Sequence, residues 1–92
     1  MKVYLMTLYV TGNSPRSERA LHNLIEICDK AMPDNYSITV VDVLEQPALA
    51  ETEKIFATPT LIKRTPSPPR RIIGDLSDFE KVLFGLGVSN YE

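Results

Sequence analysis

Ser14-Pro15-Arg16-Ser17 is the first stretch of this chain whose residue types and spacing bear on chemistry. A serine followed by proline opens a helix, with Ser14 as the N-cap and Pro15 at the first helical position. With cysteines in place of the two serines, the same spacing would set a thiol in the field of the helix N-terminus. That field lowers the thiol pKa, and the thiolate then attacks a disulfide. A serine hydroxyl is not deprotonated near neutrality, so the frame of a redox motif is kept without its sulfur. Cys28 is the only cysteine, which excludes an intrachain disulfide and any Cys-x-x-Cys pair. It falls two turns or more beyond the helix start, on the apolar face, as a small core residue does. His22, the only histidine, lies off that face one turn before Glu26 and reads as solvated helix surface. No His, Cys, Asp or Glu cluster has metal-ligand spacing and no glycine loop cradles phosphate, so neither metal nor cofactor is expected. Asp75 and Asp78 look like a carboxylate pair, but both stand at a helix start, where acidic side chains cap amides. Lys63, Arg64, Arg70 and Arg71 remain, cations expected to cluster at the open end of a hairpin. Such a cluster is either a charged edge that discourages aggregation or a docking patch for an acidic partner.

The elements that must position these residues follow from pattern. Val3 to Val10 is near-continuously apolar, as in a central strand covered on both faces. The helix opened by Ser14 carries Leu21, Leu24, Ile25 and Cys28 at i, i+3, i+4 and i+7, and Met32-Pro33-Asp34-Asn35 stops it. Ser37 to Val43 is a second strand, and a strand, helix, strand sequence implies a right-handed crossover with parallel pairing. Gln46-Pro47 opens a second helix over Ala48 to Phe56, with Leu49, Glu53 and Phe56 on successive turns and Ile55 beside them. Glu53 interrupts that stripe, so the helix is expected to be weak and half exposed. Thr58-Pro59 ends it and starts the strand Thr60 to Lys63, because proline cannot continue a helix and extends the residue before it. Thr65-Pro66-Ser67-Pro68-Pro69 turns the chain into a strand from Arg70 to Ile73. Ser77-Asp78-Phe79-Glu80 has the form of a capping box with Ser77 as the cap. Phe79, Val82, Leu83 and Leu86 then make one apolar face, and Gly85 and Gly87 end the helix.

Residues 1–92 read as a single α/β domain, βαβ followed by αββα, with a mixed four-stranded sheet. This is the order of a thioredoxin-like fold. A net charge of −2 gives no electrostatic case for nucleic acid or an anionic membrane. The longest apolar run is far short of a bilayer span, and Met-Lys-Val-Tyr does not begin a signal peptide, so a cytoplasmic location is expected.

Five stretches closely resemble the KaiB family of circadian clock proteins: Leu8-Tyr9-Val10-x-Gly12-Asn13, Val41-Asp42-Val43-Leu44, Lys54-Ile55-x-Ala57-Thr58-Pro59-Thr60-Leu61, Arg70 to Asp78, and Glu80-Lys81-Val82-Leu83. The resemblance spans essentially the whole chain. It implies a protein with no catalytic activity that binds the ring-shaped ATPase KaiC and so regulates its phosphorylation and ATPase cycle. It also implies fold switching between a tetrameric ground state and a monomeric thioredoxin-like state that binds KaiC, with the second half, from about Leu49, rearranged. Lys54, Lys63 and Arg71 match basic positions of the family and are the candidate KaiC contacts. Tyr4, Pro59, Gly85 and Gly87 stand at positions where the fold balance is sensitive, and Gly87 replaces an aspartate of cyanobacterial members. KaiA, a histidine kinase carrying a KaiB-like sensor, and further copies of the chain are the other implied partners. Thr39 stands where a lysine engages KaiA, and the acidic tail of the family is short here, at Tyr91-Glu92. The role implied is circadian timing or stress adaptation. A thioredoxin-like redox or thiol-binding protein lacking a cysteine pair is the alternative.

Overall fold

Met6, Leu8 and Val10 are buried on one side of a strand, and Thr7 and Tyr9 are buried on the other. Burial on both sides makes β1 (Tyr4–Val10) a central strand, as the unbroken apolar run predicts. The structure, a computed structural model, describes residues 3–88. Around β1 the sheet order is β2-β1-β3-β4. Strand β2 (Tyr36–Asp42) runs parallel to β1, with Tyr4 opposite Tyr36 and Val10 opposite Asp42. Strand β3 (Thr60–Thr65) pairs antiparallel with β1 across an irregularity between Leu5 and Met6, and β4 (Arg70–Ile73) pairs antiparallel with β3. The thioredoxin-like order is therefore the observed one, and the described residues do not have the rearranged second half.

Helices α1 (Pro15–Ala31) and α3 (Phe79–Leu86) contribute to one core with Met6, Leu8, Val10 and Leu61 of the sheet. Ser14 caps α1 by accepting from the Ser17 amide, with Pro15 at the first helical position, as predicted. The buried face of α1 is Ser17, Ala20, Leu24, Ile27 and Cys28, while Ile25 is 41% exposed. The predicted stripe was thus rotated: a stripe through Ala20 and Ile27 sits squarely on the sheet, and Ile25 falls at its margin. At the start of α3 the cap is Asp78 and not Ser77. The Asp78 carboxylate accepts from the Lys81 amide at 3.1 Å, whereas Ser77 donates its own amide to Asp75 at 3.1 Å. A turn through Leu76 in the left-handed region (φ 61°) uses up Ser77 and moves the helix start on by one residue.

The other sheet face is thinly covered. Helix α2 (Pro47–Thr52) lies over a small cluster of Tyr9, Val41 and Ile62, with Val43, Leu49 and Ile55 packed against it. It is shorter than predicted, and Phe56 is 91% exposed instead of lying on its apolar face. The reason is a Schellman ending: Lys54 adopts φ 57°, its amide bonds to Glu51 O at 3.1 Å and the Ile55 amide to Ala50 O at 2.9 Å. Helix α3 ends in the same way, with Gly87 at φ 82° and bonds from Gly87 and Val88 to Phe84 and Leu83. Gly85 lies inside its last turn. Tyr91-Glu92, singled out as the shortened tail, lie outside the described residues. Among the described residues no helix is long and apolar enough to cross a membrane.

Candidate functional site

The frame of the missing redox motif is intact and filled with hydroxyls. The Ser14 hydroxyl donates to Ser17 Oγ at 2.9 Å, and Ser17 Oγ accepts from the Thr11 amide at 3.3 Å. The Thr11 and Thr58 hydroxyls bond to each other, tying the start of α1 to the Thr58-Pro59 turn. Asp42, not given a structural role from the sequence, closes the adjacent loop by accepting from the Gly12 amide at 3.1 Å and the Leu44 amide at 2.9 Å. Ser17 is buried and its hydroxyl is bonded, so this corner of the fold is structural. Cys28 lies in the main core, and burial, with the neighbouring Asp29 carboxylate adding to it, pushes its thiol up to about 12. A thiol held protonated in this way is not a nucleophile at neutral pH. His22 is exposed. Among the described residues no group of three or more His, Cys, Asp or Glu side chains could hold a metal ion. Asp75 is a turn-former: the hydrogen bond from the Ser77 side chain is the main cause holding its carboxyl below the usual range, with the Ser77 amide adding to it, and Arg19 lies 3.8 Å away.

The four cations do not form the cluster that the hairpin suggested. Alternation along β3 sends Lys63 and Arg64 to opposite faces, and their neighbours divide accordingly. Lys63 points inward, is 2% exposed, and donates from Nζ to Leu86 O at 3.0 Å. Its ammonium lies 6.0 Å from the centre of the Tyr4 ring. Arg64 crosses the opposite face, donating to Thr7 Oγ1 at 3.3 Å and to the Tyr9 hydroxyl at 2.8 Å, with Glu53 Oε1 at 3.5 Å. Arg71 donates to Glu53 O at 2.8 Å and Lys54 O at 2.9 Å. Arg70 is exposed at the sheet edge. The period-2 pattern in the sequence carried this separation; counting charges without following their faces missed it.

Two groupings replace the expected patch. At the end of α2, Arg64 and Arg71 grip Glu53 and Lys54, and exposed Lys54 and Phe56 stand beside them. Inside the protein, Lys63 lies near Tyr4 and the end of α3, and a Cβ on Gly87 would sit 3.7 Å from its Nζ. Gly85 belongs to the same region, since a Cβ there would come within 2.8 Å of Ile72 Cδ1. Pro59 is buried at the head of β3, and its carbonyl accepts from the Gly74 amide at 2.9 Å.

The KaiB domain profile matches residues 7–88. The chain belongs to the KaiB family. It is 59% identical over 85 residues to the circadian clock oscillator protein KaiB of Prochlorococcus marinus strain MIT 9312, covering 92% of this chain and 81% of that one. It is 52% identical over 88 residues to the circadian clock protein KaiB3 of Synechocystis, covering 96% and 86%. KaiB-family proteins are clock regulators and not enzymes. Among solved structures, the N-terminal domain of Synechococcus elongatus SasA superposes with a TM-score of 0.77 at 24% identity, over 100% of this chain and 90% of that domain. Mitochondrial thioredoxin 3 of Saccharomyces cerevisiae superposes at 0.71 and 16% identity, over 91% and 76%. Both likenesses concern the fold, and they place this KaiB-family chain in the thioredoxin-like arrangement.

Proposed function

We propose that this KaiB-family chain is a non-catalytic clock regulator that binds a KaiC-type ATPase ring and modulates its phosphorylation and ATPase cycle. The observation that carries the reading is the KaiB match over residues 7–88, on a scaffold whose redox position holds Ser14 and Ser17. Lys54 and Arg71 are the proposed contacts in this fold, with exposed Phe56 beside them as an apolar anchor of the kind that dominates interface energies. Lys63, a third basic candidate, lies inside this fold with its ammonium on Leu86 O, so it is not among the contacts proposed here.

Fold switching belongs to the same proposal. A six-residue α2 over a small cluster, and left-handed backbone at Lys54 and Leu76, support a second half that is only weakly committed. Two packings of one sequence then need only a small free-energy gap. The test is gel filtration of the chain alone, with its cognate KaiC, and with KaiC and ATP. Co-elution with the ring is the expected result, and the chain alone reports its own self-association. Absence of co-elution under every nucleotide condition overturns the reading. The same columns run with KaiA, or with a histidine kinase bearing a KaiB-like sensor, test the further partners.

A further inference from the structure

We propose that the Lys63 ammonium is an internal latch that caps the carbonyl end of α3 and sets how firmly the final helix lies on the sheet. Lys63 sits in the middle of the sheet, opposite Met6 on β1 and Arg70 on β4. From this anchored strand its side chain runs through the core side and delivers Nζ to Leu86 O at 3.0 Å. Helix α3 has eight residues, too few to be stable on its own. Its C-terminal carbonyls carry partial negative charge and need donors. The Gly87 and Val88 amides serve Phe84 and Leu83, and Lys63 serves Leu86 from a different element. The Tyr4 ring, 6.0 Å from Nζ, adds a cation–π contact from β1. Gly87, in the left-handed region at φ 82°, holds the chain close enough that a Cβ there would be 3.7 Å from Nζ.

The helix end and the ammonium depend on one another. An ammonium that is 2% exposed is costly unless it is bonded. Lifting α3 removes one of its acceptors, while removing the charge leaves the helix carbonyl without this donor. Lys63 is thus a positioning residue, acting through α3. The latch is independent of the KaiC reading, since it is measured with no partner present.

The test is amide hydrogen exchange by NMR on the full chain. In Lys63→Met, amides at 82–88 should exchange about tenfold faster or more, the scale of a lost charged hydrogen bond, with β1 and β2 amides little changed. A second pair isolates the charge from the stem. Lys63→Cys in a Cys28→Ala background is alkylated while unfolded, in one arm with 2-bromoethylamine and in the other with 1-iodopropane. The first restores an ammonium at lysine length, as the thiolate displaces bromide; the second gives an uncharged chain of the same length. Recovery of α3 protection in the aminoethyl arm alone is the expected result. Equal protection in the two arms, or no recovery with aminoethyl, overturns the latch. So does a Lys63→Met protein that keeps α3 protection at the wild-type level.

Discussion

Replacing Arg71 should loosen α2 before anything else. The helix is six residues long, its N-cap Gln46 makes no side-chain cap bond, and the apolar cluster beneath it is small. A helix of that length has no stability of its own. It is held at its far end, where the Arg71 guanidinium bonds to Glu53 O at 2.8 Å and Lys54 O at 2.9 Å. Hydrogen bonds from a charged donor are worth more than neutral ones, but Arg71 is exposed and its donors are otherwise hydrated. We therefore take about 1–2 kcal/mol for the pair together. Arg71→Met keeps the apolar stem and should cost that amount. Arg71→Lys keeps one point donor without the fork and should cost about half of it. Urea denaturation reads the totals, and in a chain of this size about 1 kcal/mol also moves Tm by roughly 4–8 °C. Amide exchange locates the loss, which should fall on residues 50–55 and spare α1 and β1. An Arg71→Met protein within about 0.5 kcal/mol of wild type, with α2 protection unchanged, would refute the reasoning. It would mean that Tyr9, Val41 and Ile62 hold the helix unaided.

Lys54→Gly should stabilise the thioredoxin-like fold by about 1 kcal/mol, because the residue sits at φ 57°; Lys54→Ala keeps that strain. If the cation is a KaiC contact, Lys54→Ala, which leaves the backbone strain in place, should bind KaiC more weakly than wild type; wild-type affinity in that variant would remove Lys54 from the contacts. Gly87→Ala should destabilise by about 1 kcal/mol in a urea melt, since φ 82° does not suit a side chain. Cys28 should resist alkylation at pH 8 until the protein is denatured; rapid labelling of native protein would contradict its buried place. Its thiol is raised from 9.0 to about 12 in the folded state, so the unfolded chain loses this proton first. The Cys28 contribution to stability is therefore full below pH 9 and declines as pH rises from 9 towards 12. Cys28→Ala should lack that component of the alkaline decline.

Local chemistry made much of the fold legible. Ser14-Pro15 announced α1, the apolar run announced a central strand, and Thr58-Pro59 announced the strand that begins at Thr60. The α2 ending was not legible, because a left-handed Schellman position normally carries glycine or asparagine and here carries Lys54. Nor was the Asp78 cap, since Ser77 and Asp78 are both good caps and the turn at Leu76 chose between them. Of the candidate site residues, alternation alone could have parted Lys63 from Arg64. It could not have shown what each would meet.

By itself the sequence determined what this protein lacks and what it is related to: serines at the redox position, one cysteine on an apolar face, and a KaiB match from residue 7 to 88. Those are properties of residue type and local spacing, which a linear chain carries openly. The tertiary structure decided which cations face water and which are structural. Arg71 grips the end of α2 some 17 and 18 residues away in sequence, and Lys63 reaches a carbonyl 23 residues on. Contacts at such separations exist only once the sheet has set its strands side by side, and that juxtaposition turns surface-type residues into internal fastenings.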